Sequence, residues 1–154
     1  MLTVRRAIPE DREAIRQLLQ QAGVSEKGVD HHLENFLLVK EPEEGRNVGT
    51  AGLEIHGDRG VLRSFVIEKK AWNAKTAMEL ITVVLSFVLR MELKEIYLLT
   101  GVSPHLFECF GFQSVKWEEL PEAIRDSVAG RVDPSEAIPM VFPRAVDESN
   151  SSPV

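Results

Sequence analysis

The stretch from Val61 to Phe112 constrains the fold more than any other part of the chain. A run of strand character, Val61-Leu62-Arg63-Ser64-Phe65-Val66-Ile67, passes through the charged residues Glu68-Lys69-Lys70 into a long apolar helix. A second strand, Glu95-Ile96-Tyr97-Leu98-Leu99, follows, and then a short helix and the pair Gly111-Phe112. A helix that begins just after a strand offers backbone N–H groups and a positive dipole end to an anion, so a phosphate-bearing cofactor would sit there. The turn itself, Trp72-Asn73-Ala74-Lys75-Thr76-Ala77, lacks the glycines that such a turn normally needs.

Around this unit the pattern predicts a single α/β domain over residues 1–146. Its sheet is mixed and mostly antiparallel, with helices on both faces. The first strand is Leu2 to Ala7. Pro9-Glu10-Asp11 opens a helix, because proline suits the first turn and acidic residues suit the N-terminal dipole. Ala14, Ile15, Leu18, Leu19 and Ala22 fall at helical spacing, and Gly23 ends the helix. A weaker helix covers Val29 to Asn35, and Phe36 to Lys40 reads as a strand. Val48 to His56 is the next strand, turned by Gly57-Asp58-Arg59-Gly60 into the strand at Val61. The long helix, about Ala74 to Met91, places Ala74, Ala77, Met78, Ile81, Val84, Leu85, Val88 and Leu89 on one face. Leu80, Val83 and Phe87 add apolar residues elsewhere, so heavy burial is expected. Ser103-Pro104 forms an N-cap pair for the short helix. Phe112 to Trp117 is a strand, Leu120 to Ala129 a helix, and Ile138 to Phe142 a last strand kept at the sheet edge by its prolines. The polar segment 147–154 reads as a disordered tail.

At 154 residues the chain can bury one real core. A formal charge of −6, with no lysine and arginine stripe interleaved with aromatics, argues against nucleic acid as a partner. Cys109 is the only cysteine, so no internal disulfide can form and a reducing compartment fits. The N-terminus has no apolar run of signal type. The stretch from Leu80 to Leu89 is too short to span a bilayer. A soluble, cytoplasmic protein with no membrane partner is expected.

The element order resembles the GCN5-related N-acetyltransferase family over Leu2 to Phe142. Three stretches carry the resemblance: Val4-Arg5-Arg6-Ala7-Ile8-Pro9-Glu10-Asp11; Val61 to Ile67 with the helix after it; and Ile96-Tyr97-Leu98-Leu99-Thr100 through Leu106-Phe107-Glu108-Cys109-Phe110-Gly111-Phe112. The last is similar to the amino-acid acetyltransferases related to glutamate and arsinothricin acetylation. The resemblance implies acetyl-CoA as co-substrate and a small amine, such as an amino acid, as acceptor. It implies that Ser64 to Ile67 pair with the pantetheine arm and that a turn of pattern Gln/Arg-x-x-Gly-x-Gly/Ala wraps the pyrophosphate. Cofactor contacts would then come from Phe65, Val66, Ile67, Trp72, Asn73, Ala74, Lys75, Thr76, Ala77 and Thr100. Here the pattern's two small positions fall on Lys75 and Ala77, and only Ala77 conforms. Lys75 either meets phosphate as a point charge or obstructs it. Phe107 stands where many members carry the tyrosine that protonates the leaving thiolate.

Acetyl transfer needs a base for the ammonium, donors for the developing oxyanion, and positioning. Glu54 and Ser64 are the catalytic candidates. Strand alternation gives Glu54 a second reading as a solvent-facing residue between inward Leu53 and Ile55. Arg63 and His56 are the substrate candidates. The resemblance implies that an arginine at position 63 holds an acidic substrate, and the alternative is an ion pair with Glu54 or Glu68. His56 shares the strand face of Glu54 but precedes a turn and is expected to be exposed. His105 and Cys109 share a helix face, yet no second pair exists to complete a metal site, so no metal is expected. His31-His32 reads as surface. Trp72 would stack on an adenine, fill the cofactor groove, or pack the loop down. The rival to an enzyme is a catalytically inactive domain of the same fold that binds a ligand or partner. A homodimer is compatible with either, and a pure dimerisation scaffold is a third reading.

Overall fold

The computed structural model describes residues 2–101 and 104–143, so the Ser103 cap and the tail beyond 146 lie outside the described residues. The chain divides into two compact units, one of residues up to Glu54 with Arg63–Met91, the other of Ile55–Leu62 with residues from Glu92 onward. The first contains β1 (Thr3–Arg6), α1 (Arg12–Gln21), α2 (Val29–His32), β2 (Phe36–Lys40), most of β3 (Asn47–His56), the later part of β4 (Arg59–Ile67) and α3 (Ala74–Leu89). The second contains the start of β4, then β5 (Glu95–Thr100), α4 (His105–Glu108), β6 (Gln113–Ser114), α5 (Glu122–Val128) and β7 (Ile138–Pro143). Hydrogen bonds order the strands β1-β2-β3-β4-β5-β7-β6. The β4–β5 pair is parallel; β1–β2, β2–β3, β5–β7 and β6–β7 are antiparallel. This is the mixed, mostly antiparallel sheet expected above.

In the first unit the sheet is covered on both faces. Phe36 and Leu38 of β2 pack with Ile15, Leu18 and Leu19 of α1 and Val29 of α2. On the opposite face Val4 and Val39, cross-strand partners, border the same groove as Leu80 and Val83 of α3, and the Arg6 guanidinium lies 5.3 Å over the Phe87 ring. Two-sided cover explains why Val48 through Glu54 of β3 are buried without alternation. Gly52 is required by close approach: a Cβ there would meet the ring of its cross-strand partner Phe36 at 2.4 Å. The helix α3 buries Ala77, Leu80, Ile81, Val84, Leu85 and Val88, so Leu80 belongs to the inward face and Met78 and Leu89, predicted there, are exposed. The stripe is shifted because its centre runs through Ala77, Ile81, Val84 and Val88.

The first helix begins as a 3-10 turn, Pro9–Asp11, and becomes α-helical at Arg12. Asp11 accepts a two-pronged bond from Arg5, at 2.7 and 2.9 Å, and a third from the Ile8 amide at 2.8 Å. The Arg5 guanidinium holds the Asp11 carboxyl below its ordinary range. The predicted helix over Val29–Asn35 is α2 followed by a 3-10 turn, Leu33–Asn35.

Two expectations for the second unit are corrected. The strand from Phe112 shrinks to Gln113–Ser114, because Glu119 accepts from the Lys116 amide at 2.8 Å and closes a 3-10 turn over Trp117–Glu119. The last strand, β7, is not at the edge but lies between β5 and β6. Its prolines tolerate this because Pro139 turns its carbonyl to Val115 N, at 3.0 Å, so its nitrogen also faces away from β5. Pro143, four residues on, has the same orientation and lies beyond the β6 pairing.

Tyr97 of β5 packs in the second unit's core with Val61, Ile124 and Val141. Its hydroxyl donates to Glu95 at 3.0 Å, and Glu95 also accepts from Arg59 at 2.7 Å. Burial first, and then the Glu95 bond, push the Tyr97 hydroxyl up to about 12. The chain has one tyrosine, so an ultraviolet pH titration reads this group alone. Tyrosinate should appear with a midpoint of about 12. Because the folded value is raised, the stability tied to this group is complete below about pH 10, the free value, and lost as pH rises through the folded one. A midpoint at the free value would contradict the packing described.

Candidate functional site

Within β4, Ser64 is the one non-glycine residue of positive φ (58°) among the described residues. A left-handed non-glycine residue costs about 1–3 kcal/mol and persists only where its surroundings over-determine it. The parallel register with β5 ends at Val61↔Tyr97, three residues earlier.

Beside Ser64 lies a buried ion pair. Arg63 Nη1 and Glu54 Oε2 are 2.5 Å apart, with side chains 7% and 4% exposed. Glu54 is therefore inside, contrary to the alternation expectation, because β3 has no solvent face here. Arg63 also donates through Nη1 to the Lys27 carbonyl, through Nη2 to the Ser25 carbonyl at 3.0 Å, and through Nε to Ser64 Oγ at 2.9 Å. Of the two readings of Arg63, the ion pair with Glu54 is what the fold contains; Glu68 pairs with Arg46 instead, at 2.6 Å. A substrate carboxylate would reach this guanidinium only by displacing acceptors that already hold it. His56 is half-buried at the end of β3.

At the turn, Asn73 is the N-cap of α3: its Oδ1 accepts from Thr76 N at 2.8 Å, and its carbonyl accepts from Ala77 N at 3.0 Å. Two of the amides assigned to phosphate are thus already held by Asn73. The signal was present in the sequence, since asparagine directly before a helix is a favoured cap. Lys75 and Thr76 border a cleft of about 490 Å³ together with Lys70, Asn73, Glu41 and Glu79, so its charge is mixed. Ala74 is exposed and Ala77 buried. Trp72 is 50% exposed beside this helix start. Thr100 is buried at the end of β5, opposite Ile138. Phe107 is buried and meets Phe112 edge-on at 6.0 Å. His105 Nδ1 lies 3.0 Å from Glu108, whereas Cys109 is exposed. His31 is exposed and His32 half-buried. Among the described residues no group of three or more His, Cys, Asp or Glu could hold a metal, and no helix is long and apolar enough to cross a membrane.

Replacing Asn73 by alanine removes the cap and should lower stability by about 1 kcal/mol, read by urea unfolding. Asn73→Asp, which still accepts from Thr76 N, should retain most of it. Equal loss in both variants would show that the side chain acts otherwise.

No protein-family model matches the chain, and no curated protein matches its sequence. Solved structures match its fold. N-acetylglutamate synthase from Neisseria gonorrhoeae, complexed with coenzyme A and N-acetyl-glutamate, superposes with a TM-score of 0.74 at 20% identity, over 93% of this chain and 35% of that one. The chain therefore spans about a third of that synthase. Rv2747 from Mycobacterium tuberculosis, in complex with CoA, gives a TM-score of 0.73 at 18% identity, over 92% of this chain and 99% of that one. A GNAT-family acetyltransferase from Staphylococcus aureus gives 0.68 at 17% identity, over 93% and 99%. The chain has the fold of the GCN5-related N-acetyltransferases.

Proposed function

We propose that this chain is an acetyl-CoA-dependent N-acetyltransferase acting on a small amine, in the manner of an amino-acid acetyltransferase. The observation that carries the proposal is the match, over nearly its whole length, to a GNAT-family acetyltransferase and to a CoA-bound protein, both of its own size and fold. The left-handed break at Ser64 supports it, because it re-aims the backbone of Phe65 to Ile67 at the place where the pantetheine arm would lie. In a ternary complex the neutral amine attacks the thioester carbonyl, the new C–N bond forms, and the C–S bond breaks to release CoA thiolate. Positioning supplies much of the rate. Phe107 has no proton to give, so the thiolate takes its proton from solvent. His56 of β3 would relay the ammonium proton to solvent, while Glu54 stays paired with Arg63.

The turn 72–77 would hold the pyrophosphate through backbone amides, Lys75 and the N-terminal dipole of α3, once Asn73 swings off Thr76 N. One observation favours the rival, a fold that no longer takes the cofactor: Asn73 already occupies the Thr76 amide. Calorimetric titration with acetyl-CoA and CoA separates the two. A Kd near micromolar, about −8 kcal/mol, is expected of a working cradle. Absence of binding up to about millimolar ligand, about −4 kcal/mol, would overturn the enzyme. Lys75→Gly gives a second test, since removing the side chain should tighten CoA binding if Lys75 obstructs phosphate. Weaker binding would assign Lys75 a direct contact.

A further inference from the structure

One guanidinium ties together three separate segments of the first unit. Arg63 holds Glu54 of β3, the backbone of Ser25 and Lys27 in the connection between α1 and α2, and the hydroxyl of Ser64 in its own strand. Each partner is an acceptor, so a single buried cation satisfies a carboxylate, two carbonyls and a hydroxyl at once. The connection is shaped to come this close. Gly28 has φ +81°, and a Cβ there would lie 3.4 Å from Arg63 Nη1 and 3.8 Å from Glu54 Oε2. At its outer side the same connection is tied to α1 by Glu26, which accepts from Arg16 and Gln20, each at 2.7 Å.

Nothing local favours a left-handed backbone at Ser64. Serine gains no freedom there, and the neighbouring residues of β4 are extended. Its hydroxyl accepts from Arg63 Nε at 2.9 Å. The ion pair with Glu54 fixes the guanidinium, and the guanidinium in turn fixes Ser64 Oγ. The bonds to Ser25 and Lys27 close the connection over the pair and leave the Arg63 side chain 7% exposed.

We propose that Arg63 and Glu54 form a latch that positions the strand backbone: it holds Ser64 left-handed, and through it sets the direction of the Phe65–Ile67 peptide groups. Arg63 is then a positioning residue and not a contact for the acceptor. This rests on the acetyltransferase assignment only in so far as those peptide groups meet the cofactor. The latch itself is a property of the backbone.

The test removes the latch without leaving a buried charge alone, which would unfold the protein for an unrelated reason. Glu54→Gln with Arg63→Met keeps the volumes and removes both charges. CoA binding by this double variant should be about tenfold weaker, as follows if the competent backbone is populated about a tenth of the time. Adding Ser64→Gly should recover most of the loss, because glycine adopts positive φ without the latch. A contribution to overall stability alone would not be reversed by that third change. Undiminished binding in the double variant, or no recovery on adding glycine, would overturn the proposal. Native-state amide exchange on the wild-type protein needs no variant and no cofactor. The amides of residues 25–28 and 63–67 should open with one common free energy, and clearly separate values would overturn the latch. Failure of the wild type to bind CoA would count against the acetyltransferase and leave the exchange result to judge the latch.

Discussion

A charge that cannot reach water must find its counter-charge inside the fold, and in this chain the requirement falls on β3 and β4. The Arg63 and Glu54 side chains are buried there, where an unmatched charge would cost several kcal/mol. Matched, they join β3, β4 and the α1–α2 connection into one polar knot within an apolar layer. Residue choices around them follow. Gly28 leaves room for the guanidinium, Ser64 offers it a hydroxyl from a backbone that serine would not choose, and Ser25 and Lys27 contribute only carbonyls. Such a knot adds less to stability than apolar packing of the same volume would. What it adds is direction, because the planar guanidinium must meet acceptors from three segments at once.

The helix start that follows β4 is built on the opposite logic. There the groups stand in water, and the local cap decides the geometry. Asn73 closes the first turn of α3 with its own side chain, in the place where a glycine-rich turn would leave amides open for phosphate. Lysines and glutamates border the adjoining cleft together, so its field is that of a mixed surface and not of a purely cationic one. The fold and this turn therefore speak to different questions, the first to the scaffold and the second to how tightly a cofactor is grasped.

Much of the scaffold was legible because period and punctuation agree. The strand Phe36–Lys40 and the start of α3 at Ala74 are found as predicted, and Gly23, Gly57 and Pro9 punctuate where expected. The errors share one physical source. Alternation alone leaves Glu54 two readings, inside or outside, and proline argues for an edge at β7, yet both depend on neighbours that local sequence does not specify. A strand covered on both faces has no outward side, and a proline disrupts a ladder only on the side to which its nitrogen points. In α3 the stripe was chosen by counting apolar residues, and Met78 and Leu89 were included although they lie beyond its flanks. The site divides in the same way. Asn73 was legible as a cap. The carbonyls of Ser25 and Lys27 were not, since a backbone acceptor leaves no mark on residue identity.

The two prolines of β7 carry a consequence beyond the ladder in which they sit. The terminal strand β6 pairs with Met140 and Val141 alone, and on either side of that pair the neighbouring strand presents a ring where an N–H donor would be. Toward β6, β7 therefore offers the Val141 N–H between two prolines that have none, so the ladder between these two strands has no donor from β7 on either side of that residue.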